Sequence, residues 1–428
     1  MSAERPINAD VEPADPPAPK PERRRQPIPG ALKAIAALVA IAIAFIVAAV
    51  VGAGGDSESE PAPGTAPAPA ESEPSEAAAT GSAEQLGYPA FATNNTTRVG
   101  GSAPASNAAA VALAVFPSTT PGQQPTAVTL VDEDDWAGAI AASVFMSAPV
   151  RAPVLVSNGA GLPEVTEEVL GVLDPQGGEA TGGAGLIAVG DVAAPGGKAI
   201  RVKAGGGAAS AGAVAALRDR LFDDDPAHIV IAPLDRPELA MPAAAWAARS
   251  GDPVLFAAGD ELPKPTVAAL QRHPDVPVYV LGPSSAISSQ AVRAISKLGN
   301  EVHRASGEDP VANAIAFARY ADGDFGWNVN DPGHGFVLAR DDDPLTAAAA
   351  APLSASGTWG PLLLTDDATD LPAPLREYFL DVKPGYTTNP TRAFYNHVWV
   401  IGDQEAIDVN QQAQVDELAE LARIGGGG

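Results

Sequence analysis

Three arginines stand at comparable points along this 428-residue chain: Arg98 in "RVGG", Arg201 in "RVKAGG" and Arg304 in "RASG". A guanidinium is a rigid fork of donors that fits a phosphate or a carboxylate, so arginines at repeated positions are candidates for holding an anionic ligand. Three acids recur in the same way, Asp135, Glu238 and Asp343, each opening a run of small residues. Two roles compete for the arginines. They could fork onto a phosphate or uronate carboxylate of a ligand, or pair with those three acids across neighbouring units. The acidity of the chain offers many partners and slightly favours pairing. These six residues are the candidate ligand-binding set.

Other chemistry finds little support. His228, His273, His303, His334 and His397 show no metal-ligand spacing, and the chain has no cysteine for a thiolate site or a disulfide. The runs "DEDD" at 132–135 and "DDD" at 223–225 and 341–343 fall beside strand ends or helix starts, where aspartate caps helices. "DGDFGWNVND" at 322–331 offers oxygen ligands through Asp322, Asp324, Asn328 and Asn330 but lacks the closing glutamate of a calcium loop. Glycine runs at 182–185 and 205–207 lack the strand-GxGxxG-helix context of a dinucleotide site, and "GPSSA" lacks the second glycine of a nucleophile elbow. The expectation is therefore no catalytic residue, no metal, no cofactor and no enzyme. A formal charge of −26 sets the chain against nucleic acid.

The elements that would position the six residues begin late in the chain. Residues 1–30 are polar and proline-rich and read as a disordered cytoplasmic tail. Residues 31–51, "ALKAIAALVAIAIAFIVAAVV", are apolar except for Lys33, and about 20 such residues span a bilayer as a helix. Basic residues before the stretch and acids after it place the N-terminus inside and the remainder outside. A cleaved signal peptide is the rival reading, and the length of the stretch favours an anchor at 31–52. Residues 53–92 are rich in Pro, Ala, Ser and Glu and read as a disordered linker. The expected location is thus the cell membrane, as a single-pass protein with an extracellular C-terminal ectodomain.

From residue 93 the composition is globular and repeats with a period of about 100 residues. Each copy runs from its arginine through an Ala-rich helix such as "ASNAAAVALAVF" to a β-rich run such as "TAVTLV". An acid-led small-residue helix and a Pro-led strand follow: "APVLVS", "DPVLFA" or "GPLLLT". A Leu-Pro pair at 162, 262 and 371 then opens another helix, where proline suits the first turn. The copy closes on a strand that stops at glycine, "GLIAVGDVAA", "VYVLGPSSAIS" or "VWVIGDQEAID", where the glycine permits an abrupt exit with φ > 0. Short apolar strands alternating with helices predict an α/β fold of three tandem Rossmann-like parallel-sheet units. Their bounds are 93–200, 201–303 and 304–424, with a glycine tail at 425–428.

This order of signposts resembles the cell wall binding repeat 2 family of bacterial surface proteins. The Pro-led strands at Pro153, Pro253 and Pro361 and the helix openings at Asp135, Glu238 and Asp343 carry the resemblance. The Arg-Tyr half of the family's opening motif is absent from all three copies. The resemblance implies Rossmann-like units packed about an approximate threefold axis that bind cell wall polymer, an anionic or peptidoglycan-associated glycan, non-covalently. The expected partners are that polymer and the membrane through 31–51. The alternatives are an envelope protein-interaction scaffold and, with less support, an extracytoplasmic enzyme.

Overall fold

The computed structural model describes residues 91–424, apart from positions 160 and 357. The tail, apolar span and linker assigned to 1–30, 31–52 and 53–92, and the glycines at 425–428, lie outside the described residues, save that Phe91–Ala92 forms a short strand, β1. The single-pass membrane placement is corrected by what is described. No helix among the described residues is long and apolar enough to cross a membrane. The longest of them, Ala208–Leu221, has 14 residues, against the roughly 20 that a bilayer requires.

Strand β2 (Thr96–Val99) and helix α1 (Pro104–Val115) lead into the first run of β3 (Val128–Asp132), α2 (Trp136–Ala142), β4 (Val154–Ser157), α3 (Glu164–Leu173), β5 (Leu186–Val189) and β6 (Ala199–Val202). The second run is α4 (Ala208–Leu221), β7 (Ile229–Pro233), α5 (Pro237–Ala240), α6 (Pro242–Ser250), β8 (Val254–Ala257), α7 (Lys264–Arg272), β9 (Val278–Leu281), α8 (Ser289–Ser296) and β10 (Val302–Ala305). The third begins with α9 (Pro310–Arg319), β11 (Gly335–Arg340), α10 (Pro344–Ala355), β12 (Leu362–Thr365) and α11 (Ala373–Asp381). It ends with β13 (Gly385–Tyr386), β14 (His397–Ile401), α12 (Val409–Ala419) and β15 (Ala422–Arg423).

Three large sheets result, with parallel orders β4-β3-β5-β6, β8-β7-β9-β10 and β12-β11-β14-β2, the last extended by β1 antiparallel to β2, while β13 and β15 form a separate two-stranded pair. All pairings within these orders are parallel. Each sheet has helices on its faces, which is why strands such as Val154-Leu155-Val156 are apolar at every position and buried throughout. The fold class is α/β, built from three Rossmann-like units.

The arginine strands sit one unit earlier than the sequence repeat suggests. Arg201 pairs with Ala188 at the edge of the first sheet, and Arg304 pairs with Val280 at the edge of the second. Arg98 pairs with Val400, so the N-terminal strand β2 completes the third sheet. Each arginine strand therefore comes last in its parallel order instead of opening one, and the first and last parts of the folded chain share a unit.

Small residues set how the units meet. Helix α2 with its 3-10 extension Ser143–Met146, α6 and α10 pack on one another. Ala139, Ala244, Ala247 and Ala348 of these helices are all buried, and alanine lets helix backbones approach closely. Helices α1, α4 and α9 straddle the joints. Helix α1 covers β4 of the first unit while packing on α10 of the third, α4 bridges β8 and α2, and α9 bridges β12 and α5.

Two local expectations are refined. Pro163, Pro263 and Pro372 stand at the N-cap, not in the first turn, with φ near −54° and extended ψ. The strand-ending glycines do take left-handed backbone, at φ 85° for Gly190, 113° for Gly282 and 100° for Gly402.

Candidate functional site

Each arginine reaches sideways from its strand to the loop that leaves the neighbouring strand through one of those glycines. Arg98 is 2% exposed and makes the fullest set of bonds. Its Nη1 donates to the carbonyls of Gly402 and Asp403, its Nη2 to that of Ile407, and Nε and Nη2 both donate to Oε1 of Gln412. Burial pushes its pKa down, opposed by Asp403 and Asp408. Arg304 donates to the carbonyls of Gly282 and, at 2.7 Å, Ile287. Arg201 is exposed and makes one such bond, to Val192 at 3.2 Å. The three guanidinium groups thus brace three separate exit loops. Arg98 is buried, and none of the three forms an ion pair with Asp135, Glu238 or Asp343 among the described residues.

The three acids start the small-residue helices. Asp135 caps α2 by accepting from Gly138 N at 3.0 Å, and it also accepts from Gly207 N at 2.8 Å and from the Ser210 hydroxyl. Asp343 caps α10 through Leu345 N at 3.1 Å and the Thr346 hydroxyl at 3.0 Å. Burial raises its pKa, and those hydrogen bonds oppose the shift. Glu238 lies in the first turn of α5 and pairs with Arg236.

Sequence reading missed the residues that join the units. Asn107, Ser210 and Asn313 stand at equivalent places, nine residues after Arg98, Arg201 and Arg304. Asn107 Oδ1 accepts from Gly101 N at 2.9 Å while its Nδ2 donates to Thr346 Oγ1 at 3.2 Å in the third unit. Asn313 repeats the arrangement, accepting from Gly307 N and donating to the Leu239 carbonyl of the second unit. In the middle joint Ser210 donates directly to Asp135. The fixed offset was the available signal.

In each sheet the first and third strands are neighbours whose following loops diverge, and open α/β sheets bind ligands at this reversal. In the third unit the loops after β11 and β14 and the turn before α1 enclose a cleft of about 270 Å³. Its charged groups are mostly satisfied from within. Arg340 pairs with Asp342 at 2.8 Å, Asp343 caps α10, and Asp403 accepts from Glu405 N and Ala406 N. With Glu405 added, the cleft is an acidic surface whose one cation is already paired. Among the described residues no group of three or more His, Asp or Glu is arranged to hold a metal ion.

The loop at 322–331 folds inward. Phe325, Trp327 and Val329 alternate into the core, with the Phe325 ring stacked on Tyr279 at 3.5 Å and tilted against Trp246 at 4.8 Å. Asp322, read as an oxygen ligand, instead accepts from the Tyr279 hydroxyl at 3.1 Å. Trp246 in turn donates to Asp252 at 2.9 Å, which also holds His228.

These features define a three-unit α/β protein with braced exit loops and polar joints. No family model matches the chain, and no curated protein matches it. Solved structures do. Cwp6 from Clostridium difficile aligns with a TM-score of 0.60 at 19% identity, over 76% of this chain and 48% of that one. Cwp8 from the same organism aligns with a TM-score of 0.57 at 20% identity, over 76% of this chain and 52% of that one. The chain thus spans about half the length of each, and the likeness is one of fold.

Proposed function

We propose that the three units are divergent cell wall binding repeat 2 modules and that the protein associates non-covalently with the cell wall at the cell surface. The observation that carries this reading is the three-unit fold itself, which these Clostridium difficile cell wall proteins share. The repeated Pro-led strands and acid-capped helices support it. The reading assigns binding and no catalysis. The acidic cleft of the third unit does not suit a polyanion, since its one cation is already paired, so polymer contact falls to other surfaces.

The test is co-sedimentation of the full chain with purified bacterial wall sacculi, before and after acid extraction of their anionic glycans, with and without divalent cations. Retention on intact sacculi is the expected result. No retention under any of these conditions rejects the reading.

A further inference from the structure

At the ends of the three small-residue helices the chain makes the same unusual step. Arg151, Gly251 and Trp359 each stand two residues before a Pro-led strand, and all have left-handed backbone, with φ of 49°, 79° and 55°. Glycine takes this conformation freely. For a bulky residue it is a true outlier, and such strain gathers at ligand clamps. Arg151 and Trp359 are both exposed, Trp359 by 56%.

Trp359 is held from a second unit. Its carbonyl accepts from Nη1 of Arg249 at 3.0 Å, and the Arg249 guanidinium carbon lies 5.0 Å from the centre of the Trp327 ring. Burial lowers the pKa of Arg249 with no acid opposing the shift. The side chain itself stays exposed and forms no ion pair among the described residues, so in a chain of charge −26 it is a cation open to an anion from solution. Beneath it, Trp327 is 6% exposed and its Nε1–H has no acceptor, a rarity for a buried donor. Arg151 rests over the Phe116 ring at 5.4 Å. Its N–H donates to the carbonyl of Ser147, whose hydroxyl would lie 3.1 Å from a methyl group on Gly251. The segments carrying Arg151, Arg249 and Trp359 therefore adjoin.

We infer that Arg249 and Trp359 form a binding site for an acidic sugar unit, with the buried Trp327 ring holding Arg249 in place. Arg249 forks onto a carboxylate or phosphate, the buried Trp327 ring supports the guanidinium from beneath, and the exposed indole of Trp359 stacks on the sugar ring. The source of the ligand rests on the wall-association reading, whereas the chemistry of the site does not.

The experiment titrates the full chain with an oligogalacturonate, its neutral methyl ester and inorganic phosphate, following tryptophan fluorescence and heat. The acid form is expected to bind at least about tenfold more tightly than the ester, the worth of one charge-assisted hydrogen bond. Trp359→Gly and Arg249→Gln each weaken it by a similar factor. The melting temperature of Trp359→Gly stays level or rises, because glycine relieves the backbone strain. Absence of oligogalacturonate binding, equal affinity for the ester, phosphate binding as tightly as the oligomer, or folded variants that bind like the parent would each overturn the site. Sacculus retention of the parent is measured in parallel. Its loss rejects the wall reading and leaves the titration standing, whereas retention without oligogalacturonate binding rejects this site alone.

Discussion

Nε and Nη2 of Arg98 donate to the same oxygen of Gln412, at 3.1 and 2.8 Å, across 314 positions of the chain. The contact locks a strand from one end of the folded region onto a helix from the other. It also places a cation where sequence had suggested a ligand contact, and the energetic consequences differ among the three arginines.

Arg98→Ala leaves the carbonyls of Gly402, Asp403 and Ile407 and the Gln412 amide oxygen short of donors in the interior. We expect a loss of more than about 3 kcal/mol, and Arg98→Lys does not restore it because an ammonium lacks the fork. Arg201→Ala removes one bond from an exposed residue and should cost less than about 1 kcal/mol. Urea denaturation of the variants checks the contrast. Equal shifts in midpoint would refute it.

Asn107 and Asn313 fasten their units through paired donor and acceptor bonds. Asn313→Leu strips partners from Gly307 N and the Leu239 carbonyl, with an expected cost of about 1–3 kcal/mol for each group left buried and unpaired. Hydrogen exchange should show faster opening of α9 than of β7. Uniform protection would count against a joint at this position.

Burial lowers the pKa of His397 below the usual 6.5, opposed by Asp416. As the pH falls, the unfolded chain takes up this proton first. The stability that depends on neutral His397 is therefore present above pH 6.5 and lost as the pH drops through the lower folded value. His397→Gln should flatten the fall in melting temperature between about pH 7 and pH 5 relative to the parent. A parallel fall in both proteins would exclude this origin.

Gly402 has φ 100°, and a methyl group there would lie 2.9 Å from the Ala406 Cβ. Gly402→Ala combines backbone strain with this clash and should destabilise the third unit by about 1–3 kcal/mol. Gly190→Ala, at φ 85° with open space around it, carries the strain alone and should cost less. Paired thermal melts decide between them.

Much of the fold was legible because it is local. Apolar runs such as "VYVL" declare buried strands, small-residue runs declare helices that pack closely, and the recurrence of both declares repeated units. The owner of the arginine strand was not legible. Periodicity identifies a strand but not its neighbour, and β2 finds its partner, β14, at the far end of the folded chain. The arginines' role was hidden for a different reason. Apart from the Gln412 amide that meets Arg98, they bind backbone carbonyls, which every residue possesses, so no recurring side-chain pattern marks the contact. The alternation of Phe325, Trp327 and Val329 was readable as an inward-facing segment, but the acids interleaved with it drew attention to ion binding instead.

The β2–β14 pairing also has a mechanical side. The Thr93 hydroxyl and the Asn95 N–H both donate to the Asp416 carboxylate, so the chain is clamped to itself near both ends of the described region. Tension applied at residues 91 and 424 would run through that clamp and load β2 against β14 in shear. The first and second units would lie outside the line of force while the third bears the pull.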